Sequence, residues 1–150
     1  MIKVLLVIHG AISVALMGSA THHGLCARHL WTEGPVRERL LRVYRGVLLV
    51  SYLVVGSLGL WIYPSFRTEV RTPRFDAQHP LVHAFFEVKE YSFLFGLLAL
   101  LGLCMLGYGV QLKSLGQTSR RLYAVMSLFV MAVVWMGFFV GLSVTAIQPV

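Results

Sequence analysis

The segment His79–Glu90 gathers histidine and glutamate side chains at a spacing that could support chemistry. On an α-helix, which turns about 100° per residue, His83, Glu87 and Glu90 fall within about 60° of one another. The histidine that opens the segment extends this stripe backward, whereas Lys89 points elsewhere. Two carboxylates on one face repel each other unless a cation, a proton or an arginine lies between them. The stripe therefore predicts a site for a cationic ligand or for protons.

Another candidate, His9, interrupts the first apolar run of the chain. It lies six residues past Lys3, which corresponds to about 9 Å along a helix axis. If the first and third helices enter a membrane from the same side, His9 reaches a depth similar to that of Glu87 and Glu90. An ionisable side chain within a span is a functional candidate because burying it is costly. We therefore expect side chains from two helices to converge just below the outer surface.

A transition-metal ion is one ligand that such a site could hold. Imidazole and carboxylate groups bind iron, copper or zinc, and facing helices can supply a complete set of ligands. The candidate ligands are His9, His83, Glu87 and Glu90.

A b-type haem is a second possibility, with His9 and His83 as axial ligands from two helices. The haem propionates would then extend toward the loop before the third helix. Arginines pair well with carboxylates, and this loop offers Arg67, Arg71 and Arg74.

Proton chemistry is a third possibility, in which the same groups accept protons from a quinol or pass them along a path. A plainer interpretation stays open beside all three. In it, Pro80–Glu90 lies at headgroup level, where its charges meet water, and His9 only hydrogen-bonds a neighbouring helix.

The composition indicates that lipid surrounds much of this chain. Of its 150 residues, 57% are hydrophobic and 13% are charged, and the mean hydropathy is +0.76. Soluble domains carry roughly 25% charged residues. The formal charge of +7 comes from basic residues between apolar runs. Membrane topology signals have that placement, so we expect no nucleic-acid partner.

Four apolar runs predict one membrane domain that is an all-α bundle of four transmembrane helices. We place the spans at residues 4–20, 47–64, 82–110 and 122–145, with the third helix beginning at Pro80. Lipid offers backbone groups no other partner, so helices are the expected form. Period-2 alternation is lacking, which argues against a β-barrel. The first run also imitates a cleaved signal peptide.

Charge placement favours four spans over a signal peptide. The segments 21–46 and 111–121 share one side and carry eight basic residues, namely Arg28, Arg37, Arg39, Arg42, Arg45, Lys113, Arg120 and Arg121. The other side carries four, namely Lys3, Arg67, Arg71 and Arg74. The positive-inside rule then puts both termini on the non-cytoplasmic side, and we expect a bacterial inner membrane.

Two further patterns lead to weaker expectations. Thr21–Gly24, with Cys26 and His29, matches no closed zinc motif and is interpreted as a solvated loop. Small residues predict close helix packing at Gly56 and Gly59 in the second apolar run and at Gly137 and Gly141 in the fourth, the last pair with GxxxG spacing.

These patterns favour a redox-associated multi-pass membrane subunit that binds haem b or a transition-metal ion, with quinone as a further cofactor candidate. The partners expected are the lipid bilayer and other membrane subunits of an electron-transfer complex. Short loops leave little room for a substrate domain, so we do not expect an enzyme on its own. The alternatives are a non-catalytic accessory or assembly subunit and a small proton-coupled transporter using Glu87 and Glu90. The sequence shows no inverted repeats and no helices broken by Gly or Pro, which disfavours the transporter.

Overall fold

A computed structural model of the chain describes residues 2–32, 37–68, 80–108 and 111–147, which are helical almost throughout. Four long helices follow one another: α1 (Ile2–Ala27), α2 (Glu38–Phe66), α3 (Pro80–Gly107) and α4 (Gln117–Ile147). A short 3-10 turn at Arg28–Leu30 continues from α1, and another at Leu112–Ser114 precedes α4. All four helices are long and apolar enough to cross a membrane, as the composition predicts.

The helix boundaries follow from simple local chemistry. α3 begins at Pro80, as the sequence predicts. Proline suits a first turn because it has no N–H to leave unpaired there. Glu38 begins α2, where a carboxylate complements the positive end of the helix dipole. Pro64 lies in the last turn of α2, two residues before the helix ends.

Neighbouring helices run antiparallel. His22 stacks on Tyr44 where α1 ends and α2 begins, with ring centroids 5.2 Å apart. Phe66 stacks on Phe86 where α2 ends and α3 begins, at 5.0 Å. The N-terminus of α1 and the C-terminus of α4 therefore lie at one end, here called the terminal end. The C-termini of α1 and α3 and the N-termini of α2 and α4 lie at the other, here called the basic end because of its arginines.

Helix packing is uneven around the bundle. α1 packs extensively on α2 and on α4, and α3 packs extensively on α4, whereas the consecutive helices α2 and α3 contact each other far less. The bundle is thus two antiparallel pairs, α1–α2 and α3–α4, joined mainly through α1 and α4.

The core is concentrated toward the basic end. Among side chains that the structure describes, residues 16–30, 41–52, 96–112 and 123–134 contain almost all the buried ones, which defines a packed half. Residues 4–15, 53–68 and 80–95 contain none, and 135–144 contain only Val140. These four ranges define an open half at the terminal end.

Tyr52 of α2 makes a hydrogen bond and a ring contact to α3. Its hydroxyl donates a 2.7 Å hydrogen bond to the Phe93 carbonyl, and its ring stacks on that of Phe93 at 4.4 Å. A Cβ atom on Gly96 would overlap the Tyr52 hydroxyl and approach Val133. Glycine is therefore required at position 96 for this close approach.

The predicted small-residue contacts are right in α2 and wrong in α4. Gly56 faces the Phe93 ring, and Gly59 faces His9. Cβ atoms on Gly137 or Gly141 would meet nothing within 4 Å, so this GxxxG pair makes no close helix contact within the bundle.

Candidate functional site

His9 lies in the open half, inside the candidate span Val4–Leu30. α1 presents its imidazole to α2, where a Cβ on Gly59 would be 3.7 Å from His9 Cε1. Its Nδ1 atom is buried and has no hydrogen-bond partner among the described residues. A buried ring nitrogen of this kind costs free energy unless something binds it. His9 is therefore the best-supported candidate ligand in the structure.

Lys89 of α3 is the charged group that acts on His9. Its Nζ atom lies over the Phe86 ring, 5.3 Å from the centroid, and Glu90 acts on it electrostatically. The sequence predicts that Lys89 points away from the His–Glu stripe. The stripe and Lys89 occupy different faces of α3, and Lys89 has an electrostatic effect on His9. An ammonium beside a neutral imidazole attracts an anionic or lone-pair-bearing group, whereas it repels a metal cation.

His83 and Glu87 form a pair one turn apart on α3. His83 Nε2 lies 3.3 Å from Glu87 Oε1, and both side chains are partly exposed. Glu90 is exposed as well. The structure thus brings together two of the four predicted metal ligands, His83 and Glu87.

Of the three arginines predicted to pair with haem propionates, the structure describes one. Arg67 caps the C-terminus of α2 at the terminal end and is exposed. Arg71 and Arg74 lie outside the described residues, as does His79. Within the ranges that the structure describes, no three His, Cys, Asp or Glu side chains come together as a metal site would require. Cofactor binding at His9 and His83 stays a prediction.

A second polar cluster, which was not predicted from the sequence, lies in the packed half. His23 of α1 is fully buried, and its Nε2 atom is 3.1 Å from the Tyr123 hydroxyl of α4. The Arg45 guanidinium of α2 acts electrostatically on the same phenol. One phenol thereby links three helices.

The interpretation of residues 21–29 as a solvated loop is wrong. Thr21 to Ala27 continue α1, and the 3-10 turn extends the helical path to Leu30. Thr21 accepts a 2.9 Å hydrogen bond from the Trp135 indole of α4, and Gly24 lies against Met131. Polar residues after an apolar run resembled a loop. The side chains they pair with are about 100 positions away, so no local pattern could show the pairing.

The two clusters differ in what surrounds their unpaired ring nitrogens. In the packed half, His23 Nε2 bonds to the Tyr123 hydroxyl, while His23 Nδ1, like His9 Nδ1, is buried without a partner among the described residues but is surrounded by the packed core. In the open half, His9 and Lys89 face a region without a buried apolar core. The open half is therefore the better place for a ligand.

Comparisons of this chain with known protein families, with curated proteins and with solved structures find no match.

Proposed function

We propose that this chain is a multi-pass membrane subunit of an electron-transfer assembly that binds haem b in the open half. In this proposal both termini lie outside the cytoplasm, so the open half is near the outer face of a bacterial inner membrane. The observation that carries the proposal is the buried Nδ1 atom of His9, which has no partner among the described residues. Haem iron takes a neutral imidazole nitrogen as an axial ligand.

Four further features support the haem assignment. Lys89, which acts electrostatically on His9, opposes a cation, but it can neutralise a haem propionate. α2 and α3 contact each other far less than the other consecutive helices do, which favours insertion of a planar group on that side of the bundle. The Glu87 carboxylate pairs with one ring nitrogen of His83, and a carboxylate in that position commonly orients a ligating histidine. Arg67 is positioned at the terminal end to serve a second propionate.

Absorption spectroscopy of the detergent-purified chain tests the proposal. Protein from haem-replete cells should show a Soret band, and dithionite should sharpen the α-band. His9→Ala should abolish both bands. His22→Ala is the matched control, because His22 is on the same helix but exposed at the basic end, and this variant should keep full haem occupancy.

Two outcomes would overturn the haem assignment. One is a colourless protein with no haem after extraction, and the other is full occupancy in His9→Ala. Solvent extraction followed by chromatography identifies a bound quinone in the first case. A stoichiometric quinone that His9→Ala removes would replace haem by another redox cofactor at the same site.

A second candidate function is a non-catalytic accessory subunit, which the GxxxG pair of α4 favours. Gly137 and Gly141 have the spacing at which two helices approach closely, and a Cβ atom on either would meet nothing within 4 Å. In mild detergent, native protein should co-purify with a membrane partner, and Gly137→Leu should lose it. Co-purification that is unaffected by this substitution would exclude α4 as the contact.

A further inference from the structure

An apolar groove runs along α2 on the side next to α1. It has a volume of about 450 Å³ and is lined by Ile12 of α1 and by Gly46, Val47, Val50, Ser51 and Val54 of α2. That volume falls in the range of ligand clefts, roughly 300–1,000 Å³. The Ser51 hydroxyl donates to the Val47 carbonyl at 2.7 Å, so it adds little polarity to the groove. The lining therefore suits hydrocarbon.

Gly46 lines the part of this groove nearest the basic end. A Cβ atom at this position would meet nothing within 4 Å, and the adjacent Val50 side chain is 63% exposed. The residue is thus not a packing glycine, because its missing side chain opens space toward the surroundings and not toward another helix.

The groove leads toward the arginines of the basic end. Arg42 precedes Gly46 by one helical turn and Arg39 by two, which is about 6 Å and 10 Å along the axis. Both arginines are exposed. Between Glu38 and its C-terminus, α2 carries three arginines and one carboxylate, Glu38, which lines a small neighbouring cavity with Arg42 and Arg45. One carboxylate does not balance three guanidinium groups, so the end of the groove is positively charged.

We propose that this groove binds an anionic phospholipid, with one acyl chain along Gly46, Val50 and Val54 and the phosphate against Arg39 and Arg42. An apolar channel inside a membrane span continues into a cationic surface at headgroup level, and that order of chemistry matches a lipid molecule. Basic residues just beyond a span favour anionic headgroups over zwitterionic ones. The proposal depends on membrane insertion of α1 and α2 and not on the haem assignment.

Lipid competition on the purified full-length chain tests the site. Native mass spectrometry would compare dioleoyl-phosphatidylglycerol with dioleoyl-phosphatidylcholine, which have the same chains and different headgroup charge. Each arginine near a lipid phosphate should contribute about fivefold to the preference. Phosphatidylglycerol should therefore be retained at least tenfold better, and inorganic phosphate should not displace it.

Substitutions separate the groove from general surface charge. Gly46→Leu fills the groove without a clash and should abolish selective retention, whereas Gly137→Leu adds the same side chain to open space on α4 and should not. Arg42→Gln should lower the preference about fivefold. Arg121→Gln, an exposed arginine at the start of α4, should leave it unchanged.

Several results would overturn the proposal. Equal retention of the two lipids, or an unchanged preference in Gly46→Leu, would exclude a selective lipid site in the groove. Displacement of lipid by a co-purifying membrane protein seated on the same residues would assign the groove to a partner helix instead.

Discussion

The two halves of this bundle use intramembrane polar residues in opposite ways. In the packed half, His23 of α1 hydrogen-bonds to Tyr123 of α4 among buried side chains, and Arg45 of α2 acts electrostatically on the same phenol. In the open half, His9 and Lys89 lie where the described side chains form almost no buried core. A polar group that the fold satisfies stabilises the structure, whereas one that the fold leaves unsatisfied is available to a ligand.

The comparison also separates stability from function along a single helix. α1 carries His23 and His9 fourteen residues apart, yet only His23 has an interhelical hydrogen bond in the described structure. We therefore expect substitutions in the packed half to change the free energy of unfolding. Substitutions in the open half should change ligand binding and leave the fold intact.

The largest effect is expected for Gly96→Leu. Its side chain would overlap the Tyr52 hydroxyl, displace the ring and break the bond to the Phe93 carbonyl. Overpacking of this kind costs about 3 kcal/mol. Reversible unfolding in mixed micelles, or the loss of α2–α3 contacts by crosslinking, would measure it. A native-like unfolding midpoint would contradict the close approach of Tyr52 to α3.

Leu100→Ala should have the next largest effect, compared with Leu94→Ala on the same helix. Leu100 is fully buried, whereas Leu94 is 55% exposed. The cavity should cost about 2 kcal/mol, the low end for cores, because lipid solvates leucine as well as protein does. Leu94→Ala should stay near zero in the same unfolding assay. Equal losses for both variants would mean that the two halves are packed alike.

Tyr123→Phe should destabilise by about 1 kcal/mol, because it leaves His23 Nε2 without its hydroxyl partner. His9→Leu is the sharpest contrast, since no hydrogen bond to its Nδ1 atom is lost among the described residues. In haem-free protein His9→Leu should leave the unfolding midpoint unchanged, and in protein from haem-replete cells it should remove the proposed haem. A stability loss in His9→Leu equal to that in Tyr123→Phe would make His9 a structural residue.

The smallest effect is expected for His83→Gln, which removes the contact with Glu87. Both side chains are partly exposed, and pairs of this kind contribute roughly 0.5 kcal/mol or less. The same variant should weaken haem retention if His83 is an axial ligand. Unchanged spectra together with unchanged stability would remove His83 from the proposed site.

The fold was largely predictable because its signals are local. Apolar runs define the four long helices, and Pro80 marks the start of α3. The continuation of α1 past Ala20 was not predictable in this way. Its polar residues Thr21 and His23 find partners on α4, at Trp135 and Tyr123, and only the assembled bundle shows those contacts.

The candidate site was predictable in composition and not in arrangement. His9 stands out because histidine is rare in an apolar run, and the His83–Glu87 pair follows from helical spacing. Helical phase alone could not show that Lys89 is the charged neighbour of His9. That depends on how α3 is rotated relative to α1, which packing against α4 and Tyr52 determines.

The weak contact between α2 and α3 bears on how the protein is made. α1–α2 and α3–α4 are each extensive hairpins, and their main junction is between α1 and α4, the most distant helices in the chain. Each hairpin can enter the bilayer as a unit during synthesis, but the junction has to wait until α4 emerges from the ribosome. A chain cut between residues 69 and 79 and produced as two polypeptides should therefore reassemble through α1 and α4.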